Sequence, residues 1–207
     1  MSSHGPLLLL LCAACAACAA AHPPPLPAAP PVYPEPERIQ LPVGDFLWRQ
    51  HVEARHGDQS GGFDAVLQKR GDEILMIGLT PFGTKAFELS RVGGVVHFKS
   101  DLPRELPFSP QYIFDDVART YFAGLPGSPL ADGTHTLDGT GERTTELWQN
   151  GRLMRRSFVR LASDPPGEIR IDYIDGMLGA HSARVIEFDN GWLGYHLTIT
   201  TVSEQSL

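Results

Sequence analysis

Two-residue reversals between β-prone runs constrain this chain more than any other feature. Asn150-Gly151 stands between Thr144-Thr-Glu-Leu-Trp and Arg152-Leu-Met, and both residues tolerate the positive φ that a tight hairpin turn demands. Arg70-Gly-Asp-Glu reads as a turn leading from Gly62–Arg70 into Ile74–Leu79, and Arg91-Val-Gly-Gly as one leading from Lys85-Ala-Phe-Glu-Leu-Ser into Val95-Val-His-Phe-Lys. Strands joined this closely pair antiparallel, because a parallel crossover needs about a dozen residues or more. Alternation supports the reading: Phe63, Ala65 and Leu67 share a face, as do Phe87 and Leu89. In the last run Tyr195, Leu197 and Ile199 face away from His196, Thr198 and Thr200. Glu168–Tyr173 and Ala183–Phe188 read as strands too, and Ile74–Leu79 is apolar enough to be covered on both faces. One stretch departs from this pattern. Ser109-Pro110 is a helix start, Ile113, Val117 and Tyr121 recur at helical spacing, and Gly124 can close the helix. The expectation is a mainly β domain over residues 42–207, one antiparallel sheet with a helix of about 12 residues over it or inside its concave face.

The first 41 residues obey different rules. Leu7–Ala21 is a run of 15 residues that begins in pure Leu and decays into Ala and Cys, short of the ~20 that a spanning helix needs. It reads as an export signal over residues 1–17. The chain's three Cys, at 12, 15 and 18, all lie here. Small residues ahead of a Cys mark the bacterial lipobox, in which the thiol is acylated. Cys18 fits best and Cys15 is the alternative, since both follow Ala-Ala whereas Cys12 follows Leu. A plain secretory signal cleaved near Ala21 is the competing reading. Ala19 is not Asp, which by resemblance to the bacterial sorting rule favours the outer membrane over the inner one. Eight prolines then fall between His22 and Pro36, too many for helix or central strand. Residues 18–41 therefore read as a semi-rigid tether, reaching roughly 60 Å at about 3.1 Å per residue.

Charge and motifs narrow the function by exclusion. Seventeen Lys and Arg against 24 Asp and Glu give a net charge of −7 with no basic cluster, which argues against nucleic acid. Nothing after Cys18 is cysteine, so neither a disulfide framework nor a thiolate zinc site is available there. His51 and His56 are five apart, off the spacing of a zinc helix, and do not share a strand face. His97, His181 and His196 are isolated, and Glu53 and Glu187 lack a carboxylate partner in sequence. Ser60 and Ser128 do not complete a nucleophile elbow. No catalytic group, cofactor or metal is expected.

A resemblance supplies the rest. Ile74-Leu-Met-Ile-Gly-Leu-Thr-Pro-Phe-Gly-Thr-Lys-Ala-Phe-Glu-Leu resembles a stretch of the LolA/LolB family of envelope lipoprotein carriers and receptors. The closing Glu187-Phe-Asp-Asn-Gly-Trp-Leu-Gly-Tyr-His-Leu-Thr-Ile-Thr is similar to the end of an uncharacterised lipoprotein family associated with aryl-polyene biosynthesis clusters. The likeness covers most of residues 46–201 and departs in helix and loop lengths after Leu106. It implies a half-open barrel with an apolar concave face that holds acyl chains, with acylated cargo, the outer membrane and a periplasmic carrier protein as partners. The alternating faces offer Phe63, Leu67, Phe87, Leu89, Phe98, Ile186, Leu197 and Ile199 as lining, although alternation alone fits a packed core equally well. In LolB an apolar residue protrudes from a Pro-Leu-Gly loop. Pro81, Phe82 and Gly83 occupy that loop here, with Phe82 either at an exposed tip or folded back on the sheet.

Overall fold

The computed structural model describes residues 35–101, 109–161, 167–179 and 181–207; the export signal, Cys15, Cys18 and the tether as far as residue 34 lie outside them. Eleven strands and one helix are formed among these residues: β1 Phe46–His56, β2 Gln59–Arg70, β3 Glu73–Leu79, β4 Lys85–Val92, β5 Val95–Ser100, α1 Pro110–Tyr121, β6 Gly133–Asp138, β7 Glu142–Gln149, β8 Arg152–Arg160, β9 Glu168–Met177, β10 Val185–Asn190 and β11 Tyr195–Ser206. All lie in one sheet, ordered β5-β4-β3-β2-β1-β11-β10-β9-β8-β7-β6. Every pairing is antiparallel. Two meanders, β1–β5 and β6–β11, are stitched together by the pairing of β1 with β11. β5 and β6 end the order without meeting, so the sheet is open.

The tight turns are where the glycine pattern puts them. Asn150 and Gly151 take φ of 53° and 69°, and Gly93 and Gly94 take 58° and 86°. Both pairs of positive φ match the hairpin turn whose twist suits flanking strands.

The sheet curls around its helix. β4 and β7 stand eight places apart in the strand order, about 38 Å if the sheet were flat. Yet Arg91 of β4 lies over the Phe114 ring, 5.6 Å from its centroid, and Glu142 of β7 pairs with Arg119 at 2.9 Å. Phe114 and Arg119 are only about 7.5 Å apart along the helix. One short helix reaches both halves only because the sheet folds around it. Ser109 caps the helix, its Oγ accepting from the Gln111 amide.

Two expectations about faces need correction. The stripe Ile113, Val117 and Tyr121 is only part of the docking face: Tyr121 is buried, and Ile113 and Val117 are half-buried against the core. The buried face also carries Phe114, Asp115, Asp116, Ala118, Arg119 and Thr120, because the strands beneath it present partners for polar groups. Nor does Gly124 close the helix, which is capped at Phe122. A Cβ at position 124 would lie 2.7 Å from Arg156 Nη2 and 2.8 Å from Glu146 Oε1, so glycine is required there by a buried ion pair. On β3, finally, only Ile74 and Gly78 are buried. Leu75, Ile77 and Leu79 lie half-buried on the convex side, where among the described residues no second layer covers the sheet.

Residues 35–41 are docked. The Glu37 carboxylate accepts from the Thr140 and Gly141 amides, the latter at 2.9 Å. Ile39 bridges Ala123, the Gln40 amide donates to the Phe122 carbonyl at 2.7 Å, and Pro36 is buried. The packed part of the chain thus begins ahead of residue 42.

Candidate functional site

The register places all eight lining candidates on the concave face. Directly opposed residues form rows across it: Trp48, Leu67, Met76, Leu89 and Phe98 in one, and Gln50, Ala65, Gly78 and Phe87 in the next. Phe63 pairs with Val52, which pairs with Ile199, which pairs with Ile186. The rows differ in how far helix α1 covers them. Leu67, Leu89, Ile186 and Ile199 are buried in the core, Phe63, Phe98 and Leu197 are partly exposed at its border, and Phe87 is half-buried beside Phe63. Phe63 meets Phe87 edge-on at 5.7 Å between centroids, and Phe87 lies 6.0 Å from Phe98. Gly78 makes room for this ladder, since a Cβ there would fall 2.1 Å from the Phe87 ring.

The other half of the concave face is filled by a polar network around α1. Arg119, fully buried, donates to Glu142 and stacks over Phe158 and Trp192. Arg156 donates to Glu146 at 2.9 Å and to the Arg119 carbonyl, and Glu146 also accepts from the Trp148 indole. Asp116 accepts from the Tyr195 hydroxyl and from the Asn190 amide, while Tyr121 accepts from Gln50. Burial pushes Glu142 above the usual carboxylate range despite Arg119, and lifts the Tyr173 phenol to about 12. Asp115 is raised to about 6, chiefly by burial, against the pull of its bond from Gln111. Such a network orders the helix against the sheet.

The β3–β4 loop projects. The Gly83 amide donates to the Thr80 carbonyl at 2.8 Å, closing a β-turn with Pro81 and Phe82 at its central positions. Thr80 and Thr84 brace its base through their hydroxyls and backbone. Phe82 is 93 % exposed at the tip.

The weighed histidines sit elsewhere. His51 is hydrogen-bonded to Asp64, His181 to Glu204 and His196 to Glu187, all in partly solvated positions. His97 is exposed, and Ser128 donates to the Leu125 carbonyl. Among the described residues no group of three or more His, Cys, Asp or Glu is arranged to hold a metal.

A cleft of about 430 Å³ opens at the opposite end of the β2–β5 half, lined by Ile39, Leu41, Asp72, Arg91, Gly93 and Gly94. Arg91 was legible only as a turn residue. Its parity with Phe87 and Leu89 was the signal that it faces inward.

A family model described as "Protein of unknown function (DUF3261)" matches residues 47–203. The chain belongs to this family. No curated protein matches. Among solved structures the family member is similar to a LolA superfamily protein from Nitrosomonas europaea, at 11% identity over 82% of this chain and 89% of that one, with TM-score 0.44. A DUF1329 family protein from Desulfovibrio piger gives 12% identity, 79% and 86% coverage and TM-score 0.45. A domain provisionally described as outer membrane lipoprotein sorting, from Vibrio parahaemolyticus, gives 9%, 79%, 85% and 0.40.

Proposed function

We propose that this DUF3261 protein is a non-catalytic outer-membrane lipoprotein, anchored through Cys18 (or Cys15), that binds a lipid or acylated cargo on its concave face and assists its transfer or insertion at the membrane. The observation that carries the reading is Phe82, 93 % exposed on a braced turn. A large apolar side chain presented to water on an ordered tip is suited to entering a lipid interface. The partly exposed ladder Phe63, Phe87 and Phe98 offers acyl chains an apolar surface, each buried methylene contributing roughly 0.8 kcal/mol. The cargo is a lipoprotein handed over by a periplasmic carrier, or an aryl-polyene-type lipid. A second reading, a scaffold with a filled core, is favoured by the burial of Leu67, Leu89 and Ile186 beneath the helix.

Phe82→Glu tests the first reading. An exposed turn residue costs little to replace, so melting temperature should hold while flotation of the unlipidated chain (Cys12, Cys15 and Cys18 changed to Ser) with liposomes falls. Unchanged flotation would remove the membrane role of the loop. Cys18→Ser should abolish palmitate labelling; loss in Cys15→Ser instead would move the anchor to Cys15, and labelling that survives both would remove it.

A further inference from the structure

The chain has two asparagines, Asn150 and Asn190, and a glycine follows each. In Asn-Gly the main chain can attack its own side chain, because glycine puts no Cβ beside the attacking nitrogen. The Gly nitrogen loses its proton and bonds to the Asn Cγ; the Cγ–Nδ2 bond breaks, and ammonia leaves a cyclic succinimide. Water then opens the ring at either carbonyl, to Asp or to isoaspartate. The net change is asparagine plus water to acid plus ammonia. The two pairs are alike in sequence and opposite in structure.

Asn190 is fully buried. Its Nδ2 donates to the two oxygens of Asp116 at 3.5 and 3.2 Å, and its Oδ1 accepts from the Trp192 and Leu193 amides at 3.1 and 2.9 Å. The Gly191 amide donates to the Glu168 carbonyl at 3.0 Å, and a Cβ at 191 would lie 2.8 Å from that oxygen. Neither the side-chain amide nor the nitrogen that must reach it has room to turn. Asn150 stands exposed at the tip of the β7–β8 hairpin, and among the described residues its side-chain amide makes no hydrogen bond. Nothing lies within 4 Å of where a Gly151 Cβ would be. One restraint acts on it. The Gly151 amide donates to Asp132 Oδ1 at 2.9 Å and the Asn150 amide to Asp132 Oδ2 at 2.8 Å. These bonds hold the Asp132 carboxyl below the usual carboxylate range, so it is ionised at neutral pH. A negative charge 2.9 Å from the Gly151 nitrogen opposes loss of its proton. Ring closure therefore waits for the turn to open away from Asp132.

We infer that Asn150 is a site of spontaneous deamidation whose rate Asp132 governs, and that the fold spares Asn190. The product weakens its own anchor. It adds a carboxylate to a residue already bonded to Asp132, and isoaspartate inserts a further backbone carbon between the paired Gln149 and Arg152. Asp132 leads directly into β6, the edge strand, so its release loosens that edge. Peptide mapping by mass spectrometry tests this on the full chain, with Cys12, Cys15 and Cys18 changed to Ser, held at neutral pH and body temperature for several weeks. Acid should accumulate at 150 and not at 190 in the folded chain, whereas in urea both positions should convert. Asp132→Ala should speed conversion at 150 about ten-fold, the worth of one charge-assisted hydrogen bond. Asp132→Glu, which keeps an acceptor, should speed it less. Position 190 gauges global unfolding and should stay unconverted in both variants. Equal conversion at both positions in the folded chain, or none at 150 while urea converts it, would overturn the site. An unchanged rate in Asp132→Ala, or a rise matched at 190, would overturn the control by Asp132.

Discussion

Asp115→Asn should make the protein more stable at neutral pH. The carboxyl is 1% exposed on the face of α1 that meets the sheet. Its Oδ1 accepts from Gln111, and its Oδ2 has no hydrogen-bond partner among the described residues. Around it, Arg119 favours the charged form, while Glu35 and Glu142 oppose it. Burial outweighs these and raises the group from 3.8 to about 6. A raised acid is held protonated by the fold, so stability is greatest below 3.8, falls as pH climbs to about 6, and is level above. At about 1.36 kcal/mol per pH unit the full interval corresponds to about 3 kcal/mol, and local relaxation should reduce the gain on neutralising the group to about 2 kcal/mol. Urea unfolding of both proteins at several pH values measures it. Near pH 4 the two should nearly coincide, and at pH 7 the Asn variant should lead. A difference that does not change with pH would refute the reasoning, as would an Asn variant that is weaker at pH 7.

Gly124→Ala should destabilise by about 3 kcal/mol in the same assay, the cost of disturbing a buried ion pair, because Arg156 and Glu146 are each held by further bonds and have no room to withdraw. Deleting residues 1–34 should leave the melting temperature unchanged, whereas deletion through residue 41 should lower it by removing the contacts of Pro36, Glu37, Ile39 and Gln40.

Where one face of a strand is apolar and the other polar, the sequence was readable. Side-chain type alternates over Phe63–Leu67 of β2, Phe87–Leu89 of β4 and Tyr195–Thr200 of β11, and their glycine turns announce the reversals. β1 escaped notice although it sits at the centre of the sheet. Its inward residues are Phe46, Trp48, Gln50 and Val52, and Gln50 breaks the pattern because its amide is matched by Tyr121, 71 positions away. β6 carries Thr and His at an open edge, where burial imposes little pattern. The helix was placed by its cap, and its apolar stripe showed only part of its buried face, since Asp116 and Arg119 point inward only because Asn190, Tyr195 and Glu142 wait there. Long-range pairing of polar groups leaves no local periodicity. The lining candidates followed from parity, but which of them the helix would cover depended on how far the sheet curls.

The contacts of Glu37, Ile39 and Gln40 have a mechanical consequence. Any pull transmitted along the chain from ahead of Glu35 is borne first by the two amides of Thr140 and Gly141, then by the bridge to Ala123 and the bond to Phe122. Only after these, and after the bonds of Gly44 and Asp45 to Lys69, Gly71 and Leu207, does force reach β1, which is locked on both sides along its full length by β2 and β11. The short segment, held by fewer backbone bonds than either strand beside it, yields before the strands unpair. Because its last two bonds end at the C-terminal end of α1, its failure is felt by the helix before it is felt by the sheet.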